Sequence, residues 1–231
     1  MITVDTTETG SASDTFILPL HNGTTNMTVY WGDGNSDAIT TYNQSELTHE
    51  YASGGSYQVI LDGVFEGVNF NNTGDKAKLT TIDQWGTNDF GSFAFSFYGC
   101  ANMTGAYSDV PSISSTSAQS SFQSCTSFNS SLSGWSFPNV TTMINMIRGC
   151  TVFNNGGVTL TWTTSTSLIN MANLFFQCSA FNQLLSFSNT SAVTNMSLML
   201  SSCTVYNKAL NSLDVSGCTN FSSMLASATA F

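Results

Sequence analysis

The sequence predicts a mixed α/β and β chain. A small antiparallel β-sandwich, with a flexible amino-terminal arm, occupies residues 1–66, and a solenoid of short strands and short helices fills 67–231. Three observations carry this reading. Residues 15–63 hold five short strand-like runs separated by turn residues. A Cys-x-x-Phe/Tyr-Asn motif then recurs about every 25 residues. Between the two lies a change of composition: ten acidic residues precede position 76, and only Asp83, Asp89, Asp109 and Asp214 follow it.

In the first unit the runs are 15–20, 27–31, 38–42, 46–51 and 57–61, with turns at Asn22-Gly23, Gly32-Asp33-Gly34 and Gly54-Gly55. Strands at this spacing pair best as an antiparallel sandwich. Asp33, set between two glycines, can accept backbone N–H groups two residues on and hold a tight turn. Asp33 with Asp37 supplies too few oxygens for a calcium loop. His49 with Asp33 resembles two thirds of a hydrolytic triad, but a strand histidine paired with a neighbouring side chain explains it more simply.

In the second unit the motif stands at Cys125, Cys150, Cys178 and Cys203, with Asn129, Asn154, Asn182 and Asn207 four residues later. The period extends back to Cys100 and forward to Ala228, and the one longer interval is explained by three inserted residues, Asn155-Gly156-Gly157. Leu132, Leu185 and Leu210, then Trp135 and Leu213, read as the strand of each repeat, and Ile82 and Trp85 place a degenerate first repeat in the same phase. Met143, Met146 and Ile147, with their counterparts Met196, Met199 and Leu200, recur at three- and four-residue steps, the period of a helix. Thr141, Thr194 and Thr219 are expected as helix N-caps. This is the logic of a leucine-rich-repeat-type solenoid, in which one unit cannot bury its apolar face alone and neighbours must stack. The asparagines are expected to form a buried ladder bonding adjacent turns, because buried amides must be satisfied. The cysteines are expected to be buried thiols, since their slot also accepts Ala228. Cys218 is expected in the core, and Trp85 and Trp135 are expected to be buried in their repeats.

Composition narrows the function. Hydrophobic residues make up 41% of the 231 and charged residues 8%, with a net charge of −10, so Ser, Thr, Asn and Gln must cover the surface. Such a chain repels phosphate backbones and anionic lipid, which argues against nucleic-acid partners and membrane insertion. No stretch approaches the ~18 apolar residues of a membrane span, and the amino terminus lacks the basic and apolar segments of an export signal. Phosphate-binding loops, HExxH and CxxC are missing, and the few carboxylates of the repeats fall in different phases. No catalytic residue, metal site or cofactor is expected.

Two resemblances follow from these residues. Val29-Tyr30-Trp31-Gly32-Asp33-Gly34, with Thr48-His49-Glu50-Tyr51 and Gly55-Ser56-Tyr57-Gln58-Val59, resembles the PKD family of Ig-like modules. The likeness implies a core role for Trp31 and a tight turn at Gly32, Asp33 and Gly34. The string Phe70-Asn71-Asn72-Thr73-Gly74-Asp75-Lys76-Ala77-Lys78-Leu79, then Ile82-Asp83-Gln84-Trp85-Gly86, Phe97-Tyr98-Gly99-Cys100 and the repeats beyond, is similar to the BspA-like leucine-rich-repeat surface proteins. Members are bacterial adhesins, and bacteriophages encode similar proteins. The resemblance implies non-enzymatic recognition or display outside the cell. Its expected partners are a protein or glycan surface of a host cell, or capsid or tail proteins. Without an export signal or anchor, a virion surface is expected over a bacterial cell surface.

Overall fold

The computed structural model describes residues 1–231 and is built almost wholly of strands and turns. Its elements are β1 (Ile2–Asp5), β2 (Thr15–Ile17), β3 (Thr25–Tyr30), β4 (Ser36–Ile39), β5 (Thr48–Glu50), β6 (Ser56–Phe65), β7 (Leu79–Ile82), β8 (Thr104–Gly105), β9 (Trp135–Phe137), β10 (Leu160–Thr164) and β11 (Leu185–Phe187). The helical content is two 3-10 turns of three residues each, Ser45–Leu47 and Asn155–Gly157. The expected mixed α/β architecture is therefore wrong: the repeats contain no α-helix.

A six-stranded sheet has the order β4-β3-β6-β1-β7-β8, and β2 pairs with β5 in a separate two-stranded sheet. Period-two alternation sets the inner face, as in β3, where Thr25, Met27 and Val29 are buried and Asn26 and Tyr30 are exposed. The amino-terminal residues, expected as a flexible arm, are instead a central strand. β1 pairs antiparallel with β6 on one side and β7 on the other, and Ile2 and Val4 face the core. Four residues of alternation are too short to stand out from a polar, threonine-rich terminus. Because β7 and β8 join this sheet, the sheet itself crosses position 66, and one hydrophobic core runs continuously from Ile2 to Leu213.

The repeats stack with parallel register. β9, β10 and β11 form one parallel sheet in which Trp135 pairs with Trp162 and Trp162 with Phe187. Single parallel bridges join Ser117, Thr142, Asn170, Asn195 and Asn220 in sequence. Between those residues and each cysteine lies the stretch expected to be helical, and here the backbone is a run of linked turns. Met146 donates to the Met143 carbonyl and Cys150 to that of Ile147, while Asn145 and Gly149 hold positive φ values of 57° and 74°. The same two slots are left-handed in every layer: Phe95 and Gly99, Ser120 and Ser124, Asn173 and Gln177, Leu198 and Ser202, Ser223 and Ser227.

A left-handed residue every fourth position ends any α-helix. Three-residue turns nonetheless return the apolar side chains to one side at nearly helical intervals, which is how the periodicity misled. Thr141, Thr194 and Thr219 are accordingly not N-caps; their hydroxyls donate to the carbonyls of Thr116, Ile169 and Thr194 in the preceding layer.

The turn runs are joined by a one-way ladder. Met143, Asn145, Ile147 and Gly149 donate their N–H groups to the carbonyls of Asn170, Ala172, Leu174 and Phe176. Met171, Asn173, Phe175 and Gln177 donate in turn to Asn195, Ser197, Met199 and Ser201. In an ordinary parallel pair the bonds run both ways. In this run every inter-layer N–H points toward the carboxyl-terminal end of the stack, and every accepting carbonyl points back.

His21 of the amino-terminal unit and the segment that follows that unit, at residues 70–72, close the carbonyl end. The N–H groups of Phe70 and Asn72 reach the carbonyls of Ser96 and Tyr98, and His21 Nε2 lies 2.9 Å from that of Ala94. A carbonyl only accepts, so Nε2 carries the proton. Burial lowers the pKa of His21 below its ordinary 6.5, with its bond to Ala94 and the charge of Glu66 acting the other way. The folded state thus binds fewer protons at His21 than the unfolded chain does. This contribution to stability is complete above the unfolded pKa and falls as pH drops through and below about 6.5. Urea midpoints at pH 7.5 and 5.5 should differ more for the native chain than for His21→Gln, whose amide can still donate; equal differences would show that His21 takes no part.

Candidate functional site

The predicted repeat residues form columns that run the length of the stack. Cys100, Cys125, Cys150, Cys178 and Cys203 are buried free thiols. Each thiol after the first donates to a carbonyl of the layer before it: Cys125 to Phe97, Cys150 to Phe122, Cys178 to Ile147 and Cys203 to Phe175, at 2.9–3.0 Å. Those carbonyls already accept the N–H of their own layer's cysteine, so the thiol occupies a second lone pair. Burial raises the pKa of Cys100, Cys125 and Cys178 well above the thiol range, and that of Cys203 to about 12. Protonated thiols are the donors this ladder needs and are poor nucleophiles. Cys218, expected in the core, is only partly buried. Iodoacetamide should therefore alkylate Cys218 alone in the native chain, and all six cysteines in urea. Peptide mass mapping reads the difference, and native labelling at Cys150 or Cys178 would contradict the column.

The asparagine ladder exists, but at the surface and not in the core. Oδ1 of Asn129 accepts the N–H of Asn154, Asn154 that of Asn182, and Asn182 that of Asn207, at 2.6–2.9 Å. Asn129 and Asn207 are exposed, and Asn154 and Asn182 half-buried. The aromatic one position earlier takes the interior: Phe128, Phe153, Phe181 and Tyr206 are fully buried and, with the exposed Phe231 continuing the column, stack at 5.8–6.0 Å with nearly parallel rings. Trp85 and Trp135 are buried and meet edge to face at 5.1 Å.

Three contributors escaped the sequence reading. Asn170, Asn195 and Asn220 each accept the N–H two residues on, opening the turn run of their layer as Ser117 and Thr142 do in theirs. Their Asx-turn position was visible, directly ahead of each apolar run at Met171, Met196 and Phe221. Asn155 lies in the inserted turn, fully buried, where Oδ1 accepts the Leu132 N–H at 2.7 Å and Nδ2 donates to Ser133 and Val158. Trp162, displaced by that insertion, fills the tryptophan column of its layer and donates Nε1 to the Leu132 carbonyl.

In the amino-terminal unit, Gly32, Asp33 and Gly34 form the expected turn, with both glycines at positive φ. Asp33 accepts from the Asn35 backbone and side chain and lies 2.9 Å from His49 Nε2. His49 stacks on Trp31 at 4.8 Å and meets the edge of Tyr51. Trp31 is fully buried, and its Nε1 donates to Asp37. Asp33 and Asp37 thus have separate partners, and the histidine pair braces a turn against the core. An apolar cavity of about 310 Å³ lies where β6, β1 and β7 meet the first repeat, lined by Ile2, Phe65, Ile82, Trp85 and Phe90 with Asn88 beside them.

No helix is long and apolar enough to cross a membrane. Among known proteins, neither a curated sequence nor a solved structure matches this chain. A family model does: the family described as "Mycoplasma protein of unknown function, DUF285" matches residues 62–167 and 156–231. The match takes in every cysteine repeat and leaves most of the amino-terminal unit outside it. It is compatible with the resemblance of the repeats to BspA-like surface proteins. With well over half of the 231 residues matched, the chain belongs to the DUF285 family of Mycoplasma proteins of unknown function.

Proposed function

We propose that the chain is a non-enzymatic recognition protein displayed outside the cell, as a decoration or host-attachment component of a bacteriophage particle. One observation carries the reading: residues 111–231 contain only three charged side chains, Arg148, Lys208 and Asp214, on an otherwise hydroxyl- and amide-covered stack. Many of those side chains already bond the neighbouring layer, as Thr126, Ser179, Thr204 and Thr229 do. Exposed Val152 and Val205 recur at one slot of their repeats. Such a rigid, neutral face suits an uncharged glycan or protein surface, because little entropy is lost and no charge is desolvated on contact.

Mass spectrometry of purified particles and binding of the fluorescently labelled full chain to host cells test this reading. Presence in particles, with cell binding that barely changes with salt, is the expected result. Absence from particles together with retention in the cytosol would defeat it. A bacterial cell-surface adhesin is the second reading, favoured by the Mycoplasma family match, and surface biotinylation of intact cells would find it there. A coat protein without a ligand of its own would appear in particles and bind no cells.

A further inference from the structure

Many polar side chains of the stack bond a neighbouring layer, but one row does not. Tyr98, Gln123, Arg148 and Phe176 hold the same slot in four successive layers, each just ahead of a left-handed residue. The layers join there through the N–H groups of Gly99, Ser124 and Gly149, which donate to the carbonyls of Gln123, Arg148 and Phe176. Neighbouring side chains of the row are therefore one layer, about 4.8 Å, apart, and all four are half-buried. The Tyr98 phenol, the Gln123 amide and the Arg148 guanidinium bond nothing else in the chain. Arg148 is the only arginine and forms no ion pair, although acidic residues outnumber basic ones 14 to 4. Its guanidinium lies over the Phe176 ring, 5.2 Å from the centroid. A guanidinium resting its face on a ring keeps its in-plane N–H groups free, and the stacking orients the fork before any ligand arrives.

We infer that this row is a subsite for an acidic sugar. The Arg148 fork takes the carboxylate in two parallel bonds, and the Gln123 amide and Tyr98 phenol meet hydroxyls of the same ligand. Charge selects the occupant. Residues 111–231 hold only Lys208 and Asp214 besides Arg148, so a phosphate dianion or a run of phosphates would face one cation in a chain of net charge −10. A single carboxylate on a hydroxylated body leaves no charge unmatched. The inference rests on the recognition reading above and names a site and a ligand class within it. The remaining sugars of such a glycan can be neutral, and one ion pair at the surface leaves binding only weakly dependent on salt.

The test is an NMR titration of the isotope-labelled full chain, reading the Arg148 Nε–H and the Gln123 side-chain amide. Glucuronate and N-acetylneuraminate are the two arms that separate uronic from sialic acids, with glucose, acetate and a triglutamate peptide as controls. At least one acidic sugar should shift both signals at concentrations roughly tenfold below those any control requires. Arg148→Met should weaken that binding roughly tenfold or more, as loss of a charged hydrogen bond does. Arg148→Lys should recover only part of it, because an ammonium keeps the charge without the fork. Both variants should leave the spectra of distant layers unchanged. No shift with either sugar, an equal response to glucose or acetate, or undiminished binding by Arg148→Met would overturn the inference. A stronger response to triglutamate would also overturn it, by assigning the row to an acidic peptide. Host cells that bind the native chain and Arg148→Met alike would remove this site and leave the recognition reading in place.

Discussion

Trp135→Ala is expected to destabilise the chain by about 3–5 kcal/mol, the cost of emptying a large aromatic site in a packed core. The indole has no exposed surface and lies within 5.1–6.4 Å, ring centre to ring centre, of Trp85, Phe93, Phe122, Phe137 and Tyr107. These rings come from several layers, so collapse around the cavity would require layers to shift against their ladders. Nε1 of Trp135 bonds nothing, so the loss is one of apolar contact alone. Trp135→Phe should accordingly recover much of it. Urea unfolding of both variants is the check, and a cost below about 1 kcal/mol for the alanine would contradict the packing.

Lys78→Met should cost a similar amount, about 3–5 kcal/mol, for an electrostatic reason. Lys78 is fully buried, and its ammonium donates to the carbonyls of Ser11, Ala12 and Thr15 and to the Ser11 hydroxyl. That hydroxyl donates onward to Asp75, itself 2% exposed, whose carboxylate also accepts the N–H groups of Ser11 and Ile17. Removing the cation strands a buried carboxylate and three carbonyls at once. A double-mutant cycle of Lys78→Met with Asp75→Asn should show coupling, because the amide no longer needs a compensating charge. Strict additivity of the two losses would show that they hold the loop independently.

Period was legible in this sequence, and conformation was not. The cysteine, aromatic and asparagine columns were all visible as a repeat, and so was the insertion that carries Asn155. The helices were not there, because Met143, Met146, Ile147 and Cys150 show the same spacing in linked turns as on a helix face. The discriminating signal was local: Asn145, Gly149 and Asn173 are residue types that tolerate positive φ, whereas Leu198 and Phe95 occupy equivalent slots with no such signature. The asparagine column was misplaced in depth because a polar residue beside a buried aromatic reads alike whether it turns inward or outward. Lys78 and Asp75 were read only as part of a motif, since charged residues are rarely this buried and their partners lie more than 55 residues away.

The one-way ladder also restricts how such a protein can change length. Each turn run offers the same four acceptors on one side and the same four donors on the other, so removing or duplicating a whole repeat leaves every rung matched. Losing part of a repeat shifts donors against acceptors through the rest of the array. The three residues added at Asn155-Gly156-Gly157 escape this penalty because they lie outside the turn run, where the Asn155 side chain and the Gly156 N–H bond the preceding layer without disturbing the four-rung register. Length variation among relatives should therefore come in steps of one repeat, with small insertions confined to the segment between the aromatic column and the strand.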